Sequence, residues 1–133
     1  DWARQIASAD LRLSPPILRV GDLTVQRDFS DVRDIVCAYE LLLEKGKPGE
    51  AYNVGSGRTT KMRQIAKLLT GFSALPIQVS VQSRRLRPGE ARALYGSNHK
   101  RMRATGWNPN YSQETTLRDM YVYWKDSLLS SKR

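Results

Sequence analysis

The 133 residues carry 22 Lys and Arg against 13 Asp and Glu, a formal net charge of +9, with 40% of positions hydrophobic and 26% charged. This supplies one core of ordinary size, leaves too little for two independent domains, and excludes global disorder. Charges interrupt every apolar stretch after a few residues, far short of the roughly 18–20 that a bilayer-crossing helix needs, so no membrane partner is expected. A single cysteine, Cys37, excludes an internal disulfide and a cysteine zinc cage and suits a reducing, cytoplasmic setting, and the single histidine, His99, makes metal chemistry poor. The opening Asp1-Trp2-Ala3-Arg4-Gln5 has no initiator Met and no leader pattern, and reads as the continuation of a longer polypeptide. The positive charge fits an anionic partner, with nucleotide-like metabolites and nucleic acid both qualifying.

In chain order the sequence reads as one α/β body without repeats. Trp2 to Ala9 reads as the end of a helix broken by Pro15-Pro16, and Ile17-Leu18-Arg19-Val20 as a short strand closed by Gly21-Asp22. Ser30 is the expected N-cap of the clearest helix, with Asp31 and Asp34 in its first turn, where carboxylates complement the helix dipole. Val32, Ile35, Val36, Tyr39, Leu42 and Leu43 recur at helical spacing, Ala38 and Leu41 broaden the stripe, and Lys45-Gly46-Lys47 end it. A helix this apolar should pack on a sheet or lie between layers, with Cys37 as a small buried thiol inside it.

Glu50 to Val54 is expected as a strand that passes through Gly55-Ser56-Gly57 into a helix opening at about Thr60, with Met62, Ile65, Ala66 and Leu69 on its face and Gly71 at its end. Ile77 to Val81 alternates with period two, the mark of a half-buried strand, and Gln82 to Glu90 is a loop. Asn98 to Thr105 reads as a short basic helix stopped by Gly106. The last helix starts near Ser112 and buries Leu117, Met120, Tyr121, Trp124 and Leu128.

Four features bear on chemistry. The Gly55-Ser56-Gly57 turn between strand and helix has the start of a dinucleotide fingerprint, but Thr60 stands where the third glycine would be, which favours a plain turn. Tyr121 and Lys125 have the Tyr-x-x-x-Lys spacing by which a lysine can lower a phenol's pKa for acid–base work; Tyr121 falls on the apolar stripe, which favours a structural role. His99, beside Lys100 and Arg101 with no carboxylate near in sequence, reads as a surface histidine. The loop Arg84-Arg85-Leu86-Arg87-Pro88-Gly89-Glu90 offers three guanidinium forks to phosphate oxygens and one carboxylate acceptor to sugar hydroxyls, and Arg27 adds a cation at the mouth of the strongest helix. A solvated charge run competes evenly with phosphate binding for that loop.

Together, Arg27-Asp28-Phe29-Ser30-Asp31-Val32-Arg33-Asp34, Ala51-Tyr52-Asn53-Val54-Gly55-Ser56-Gly57, Arg85-Leu86-Arg87-Pro88-Gly89-Glu90 and Ala104-Thr105-Gly106-Trp107-Asn108-Pro109 resemble, over nearly the whole chain, the C-terminal part of extended short-chain dehydrogenases/reductases acting on nucleotide sugars. The pattern is most similar to the GDP-4-dehydro-6-deoxy-mannose reductases and next to the GDP-mannose 4,6-dehydratases, which usually have Trp-Gly where Phe29-Ser30 stands. The resemblance implies a Rossmann-like α/β fold whose cofactor loop and catalytic Tyr-x-x-x-Lys pair lie upstream, so that this segment has no catalytic, cofactor-binding or metal residues of its own. It implies one incomplete unit over 1–133: a sugar-nucleotide region at about 1–27 and 58–133, and a helix and strand completing the Rossmann side at about 28–57. It further implies an NAD(P)-dependent homodimeric parent taking a GDP-sugar.

By the same resemblance Arg27 contacts the nucleotide or its diphosphate, Arg87 the diphosphate and Glu90 a ribose hydroxyl, Arg85 supports them, Arg4 is a further phosphate candidate, and Leu18 and Val20 or their backbone flank the base. The rival enzymes are the dehydratase and other sugar-nucleotide epimerases. From other classes, a basic nucleic-acid-binding module is disfavoured because the aromatics sit in apolar stripes, and an interaction protein descended from the enzyme fold stays open.

Overall fold

A computed structural model describes residues 1–131. Helix α1 (Trp2–Asp10) buries Ile6 together with Ala3, Ala7 and Ala9, whose small side chains let the strand behind it approach closely. It stops well before the prolines, and just past its end Arg12 turns left-handed at φ 56°. Strand β1 (Ile17–Val20) runs parallel to β4 (Gln78–Val81), with Leu18 opposite Val79 and Val20 opposite Val81. Leu18 and Val20 are fully buried in the core, so their side chains are not free to flank a base. The alternation in β4 does not half-bury it: Val79 and Val81 are exposed, because among the described residues β4 has β1 as its only ladder neighbour and helix α1 packs on β1.

A second sheet joins β3 (Thr60–Lys61), β2 (Gln26–Arg27) and β5 (Ala93–Leu94) in that order, β2 being antiparallel to β3 and parallel to β5. Helix α3 (Met62–Thr70), beginning two residues later than its sequence pattern, buries Ile65, Ala66 and Leu69. With α1, β1 and α5 (Gln113–Ser130) it encloses the core. From α5 come Leu117 and Tyr121, with Trp124 and Leu128 packed at the margin; Met120 is exposed rather than buried.

Helix α2 (Val32–Lys45) departs most from expectation. Its N-cap is Asp31, whose carboxylate accepts the Arg33 N–H, and not Ser30. Only Asp34 and Ala38 are buried, where α2 meets α4 (His99–Thr105). Val32, Val36, Tyr39 and Leu43 stand open to solvent, Leu43 at 89% exposure, and Cys37 is exposed rather than buried. The stripe is amphipathic as read, but no sheet of the described residues lies against it. Ala51 to Val54, the expected strand beside it, pairs with nothing and forms no strand, since extended backbone becomes a strand only when a neighbour takes its ladder hydrogen bonds.

Candidate functional site

Strand β2 delivers Arg27 to a cleft of about 440 Å³ lined also by Asn53, Tyr95 and Gly96. The guanidinium divides its donors: NH1 bonds the carbonyls of Gln26 at 2.7 Å and Ala91 at 3.0 Å, whereas NH2 pairs with Glu90 Oε1 at 2.5 Å. Two predicted site residues 63 positions apart thus meet directly, because Gln26 and Arg27 pair in parallel with Ala93 and Leu94 and so bring the end of the 82–92 loop alongside.

The other predicted residues disperse. Arg85, at the end of a 3-10 turn (Ser83–Arg85), pairs with Asp1 at 2.6 Å. Its carbonyl lies so near the β1–β2 turn that a Cβ on Gly21 would sit 2.7 Å from it, which requires glycine there. Arg87 is exposed and forms no ion pair among the described residues. Arg4 lies over the Trp124 ring, 5.3 Å from its centroid. His99 is exposed, as expected.

Asp28, next to Arg27, settles the glycine turn. Its carboxylate accepts the N–H groups of Ser56 at 3.0 Å and Gly57 at 2.9 Å, the donors a dinucleotide loop would aim at a pyrophosphate. With an internal carboxylate occupying the anion's place, the turn does not fit the phosphates of a dinucleotide. From the other side Asn98 Nδ2 donates to the carbonyls of Gly55 and Ser56, and Arg101 donates to that of Gly55 at 3.1 Å. Gly57 adopts φ +73° and has no room for a Cβ beside Asn98.

Arg101 is wholly buried against the Trp107 ring, 3.5 Å from its centroid, and burial lowers its pKa against the opposing pull of Asp28. Sequence reasoning missed this brace. Asp28 read only as part of a motif, and in a seven-residue basic helix nothing marks Arg101 as the inward position.

The Tyr121 hydroxyl donates to Asp10, whose other oxygen accepts from Ser73 at 2.6 Å, and Lys125 Nζ lies 3.3 Å from the phenol. Burial, and then Asp10, push the phenol's pKa up to about 12, opposite to what acid–base catalysis by a Tyr-Lys pair requires. The cluster ties α1 to α5. A larger cleft of about 790 Å³, bordered by Trp2, Phe29, Met62 and Met120, includes none of Arg27, Arg85, Arg87 and Glu90. Among the described residues no three His, Cys, Asp or Glu side chains could hold a metal, and no helix is long and apolar enough to cross a membrane.

Solved structures share this α/β arrangement. One described as RMD from Pseudomonas aeruginosa complexed with NADPH matches with a TM-score of 0.87 and 36% identity, over 94% of this chain and 41% of that one. A putative epimerase from Burkholderia cenocepacia matches with a TM-score of 0.81 and 32% identity, over 95% of this chain and 41% of that one.

A family profile described as GDP-mannose 4,6 dehydratase covers residues 2–120, and the chain belongs to that family, within the extended short-chain dehydrogenases/reductases that use NAD(P) on nucleotide sugars. The GDP-6-deoxy-D-mannose reductase of Pseudomonas aeruginosa is 37% identical over 123 residues, which are 92% of this chain and 40% of that protein. A probable UDP-arabinose 4-epimerase of Arabidopsis thaliana is 33% identical over 110 residues, 80% of this chain and 26% of that protein. The chain therefore spans well under half the length of the relatives it matches.

Proposed function

We propose that this chain is the C-terminal, sugar-nucleotide-binding part of an NAD(P)-dependent reductase acting on a GDP-linked 4-keto deoxyhexose. The observation that carries the reading is the ion pair of Arg27, which lines the cleft, with Glu90: a cation for a diphosphate beside a carboxylate for a ribose hydroxyl. The identity to the Pseudomonas aeruginosa reductase supports the choice of substrate class.

Hydride transfer belongs to groups outside these residues, since the glycine turn is filled by Asp28 and Tyr121 is held neutral. A nicotinamide cofactor would bind upstream of this segment. The open stripe of α2 and the unpaired Ala51 to Val54 support a Rossmann half that covers the one and pairs with the other; residues of about 28–57 would complete it, and the rest of the chain would hold the sugar nucleotide. Packing of α4 on α2 moves that short helix toward the Rossmann side. The parent would be a cytoplasmic homodimer.

The family profile's description favours a second reading, a 4,6-dehydratase, which needs an additional acid–base carboxylate upstream. Sequencing the upstream half separates the two.

Binding tests the shared part. Each charge-assisted contact contributes on the order of 1.5–3 kcal/mol. Arg27→Ala and Arg87→Ala should therefore weaken GDP binding roughly tenfold to a hundredfold, while Arg103→Ala, at an exposed position of α4, changes little. Lys at either site should restore little, because it keeps the charge and loses the fork. Equal small losses in all three variants would leave only net charge and overturn the reading.

A further inference from the structure

We propose that Glu90 is a specificity-determining gate on Arg27: it occupies the guanidinium's NH2 until a ligand arrives whose phosphate can replace it and whose neighbouring hydroxyls can receive it. This rests on the assignment of Arg27 and Glu90 to a sugar-nucleotide site.

The division of donors on Arg27 is the starting point. Its NH1 is fixed by two carbonyls, which hold the guanidinium in place whatever happens to NH2. The NH2 bond to Glu90 is the exchangeable one. Both side chains are about three-quarters covered, at 23% and 25% exposure, so the pair is sheltered enough to matter and open enough to be reached. The backbone before Glu90 is free of packing: Glu90 follows Gly89, whose surroundings within 4 Å would be empty even for an added Cβ, whereas Ala91 after it is held through its carbonyl by Arg27.

The exchange balance gives selectivity. A chain of net charge +9 attracts every small anion in solution. Inorganic phosphate or pyrophosphate reaching Arg27 gains one ion pair and breaks another, and the displaced carboxylate is left to water, so the net gain is small. A ligand carrying a vicinal diol near its phosphate offers two O–H donors to that same carboxylate, and charge-assisted bonds of this kind repay the lost pair. Glu90 thereby couples phosphate recognition to hydroxyl recognition and selects nucleoside diphosphates over bare phosphates. Arg87, whose side chain is exposed and forms no ion pair among the described residues, has no such gate and would meet the phosphate first.

Calorimetric titration of the full chain, wild type and Glu90→Gln, with pyrophosphate, GDP and 2′,3′-dideoxy-GDP tests this, with circular dichroism verifying the fold of both proteins. Glutamine is nearly isosteric but leaves the cation unneutralised. Glu90→Gln should bind pyrophosphate about fivefold more tightly than wild type. Its preference for GDP over the dideoxy compound should fall from about tenfold to about threefold or less.

Unchanged or weaker pyrophosphate binding in a folded Glu90→Gln, or an unchanged preference for the diol, overturns the gate even if GDP binds well. A gain for pyrophosphate in a protein that binds no GDP upholds the gate and overturns the assignment to sugar nucleotides. Glu90→Ala should repeat the gain, whereas Arg27→Ala combined with Glu90→Gln should abolish it; persistence of the gain in the double variant would place it elsewhere and overturn the proposal.

Discussion

The Asp34 carboxylate on α2 accepts the backbone N–H of Asn110 at 2.9 Å, across 76 residues, and its second oxygen takes that of Tyr111 at 3.1 Å. At 1% exposure it is among the most deeply buried side chains of the chain. Helix α2, whose apolar residues find so few partners, is held to the α4–α5 connection by a buried, hydrogen-bonded side chain.

The consequence for stability is large. Asp34→Ala leaves two N–H groups without an acceptor and should cost roughly 2–4 kcal/mol in chemical denaturation, while Asp34→Asn keeps one acceptor and should cost about half as much. Amide exchange at residues 110 and 111 should accelerate in step. An alanine variant within about 0.5 kcal/mol of wild type would show that water takes over the bonds.

Asp28 makes the same kind of contact with the Ser56 and Gly57 amides, in the very loop that joins Arg27 to α2. Asp28→Ala should deprotect both amides and loosen the orientation of Arg27, lowering GDP affinity although the Asp28 carboxylate is itself taken up by these amides. Gly57→Ala should destabilise by about 1–3 kcal/mol, through its positive φ and the clash with Asn98. A stable Gly57→Ala with protected amides at residues 56 and 57 would refute the brace.

Alkaline pH should weaken the fold through Tyr121. The folded-state pKa, about 12, lies above the phenol's ordinary 10.0, so the neutral form favours folding. This contribution is complete below pH ~10, declines as pH rises toward ~12 and is absent above that, on the order of 2 kcal/mol in all. Urea denaturation near pH 8 and near pH 11 should show the decline in wild type, and Tyr121→Phe should remove this part of it while lowering stability at both values, since Asp10 loses a donor. An undiminished alkaline loss in Tyr121→Phe would assign it to other groups.

The α2 stripe makes a prediction about association. Val36 and Leu43 touch little in this chain, so Val36→Glu with Leu43→Glu should change unfolding free energy by less than about 0.5 kcal/mol. Sedimentation should show wild type self-associating through the exposed apolar face and the double variant monomeric. Identical sedimentation of the two would mean that the stripe is not sticky by itself.

Activity should be absent from the isolated chain. NADPH oxidation with a GDP-4-keto sugar, abolished by Tyr121→Phe, would overturn the placement of hydride and proton transfer outside these residues. The raised pKa of Tyr121 is the physical reason to expect none.

The sequence by itself determined the order of elements and most of their faces. Helical spacing located Ile65, Ala66 and Leu69 and the Leu117–Tyr121 face, Gly106 stops α4 in a left-handed conformation as read, and the four ordered motifs located the family. Periodicity reports which residues are apolar on one side of an element; it does not report whether anything lies against that side. Tertiary structure alone decided that the α2 stripe and Cys37 face solvent and that Ala51 to Val54 lacks a ladder partner, because burial and strand pairing are properties of neighbours distant in sequence. It also decided the roles of the carboxylates. Asp31 and Asp34 read as helix-start acids, Asp28 only as part of a motif and Glu90 as an acceptor for sugar hydroxyls, yet each is defined by the N–H or guanidinium that folding carries to it. A carboxylate's partner is chosen by directional bonds across tens of residues, and no local pattern of charge encodes that choice.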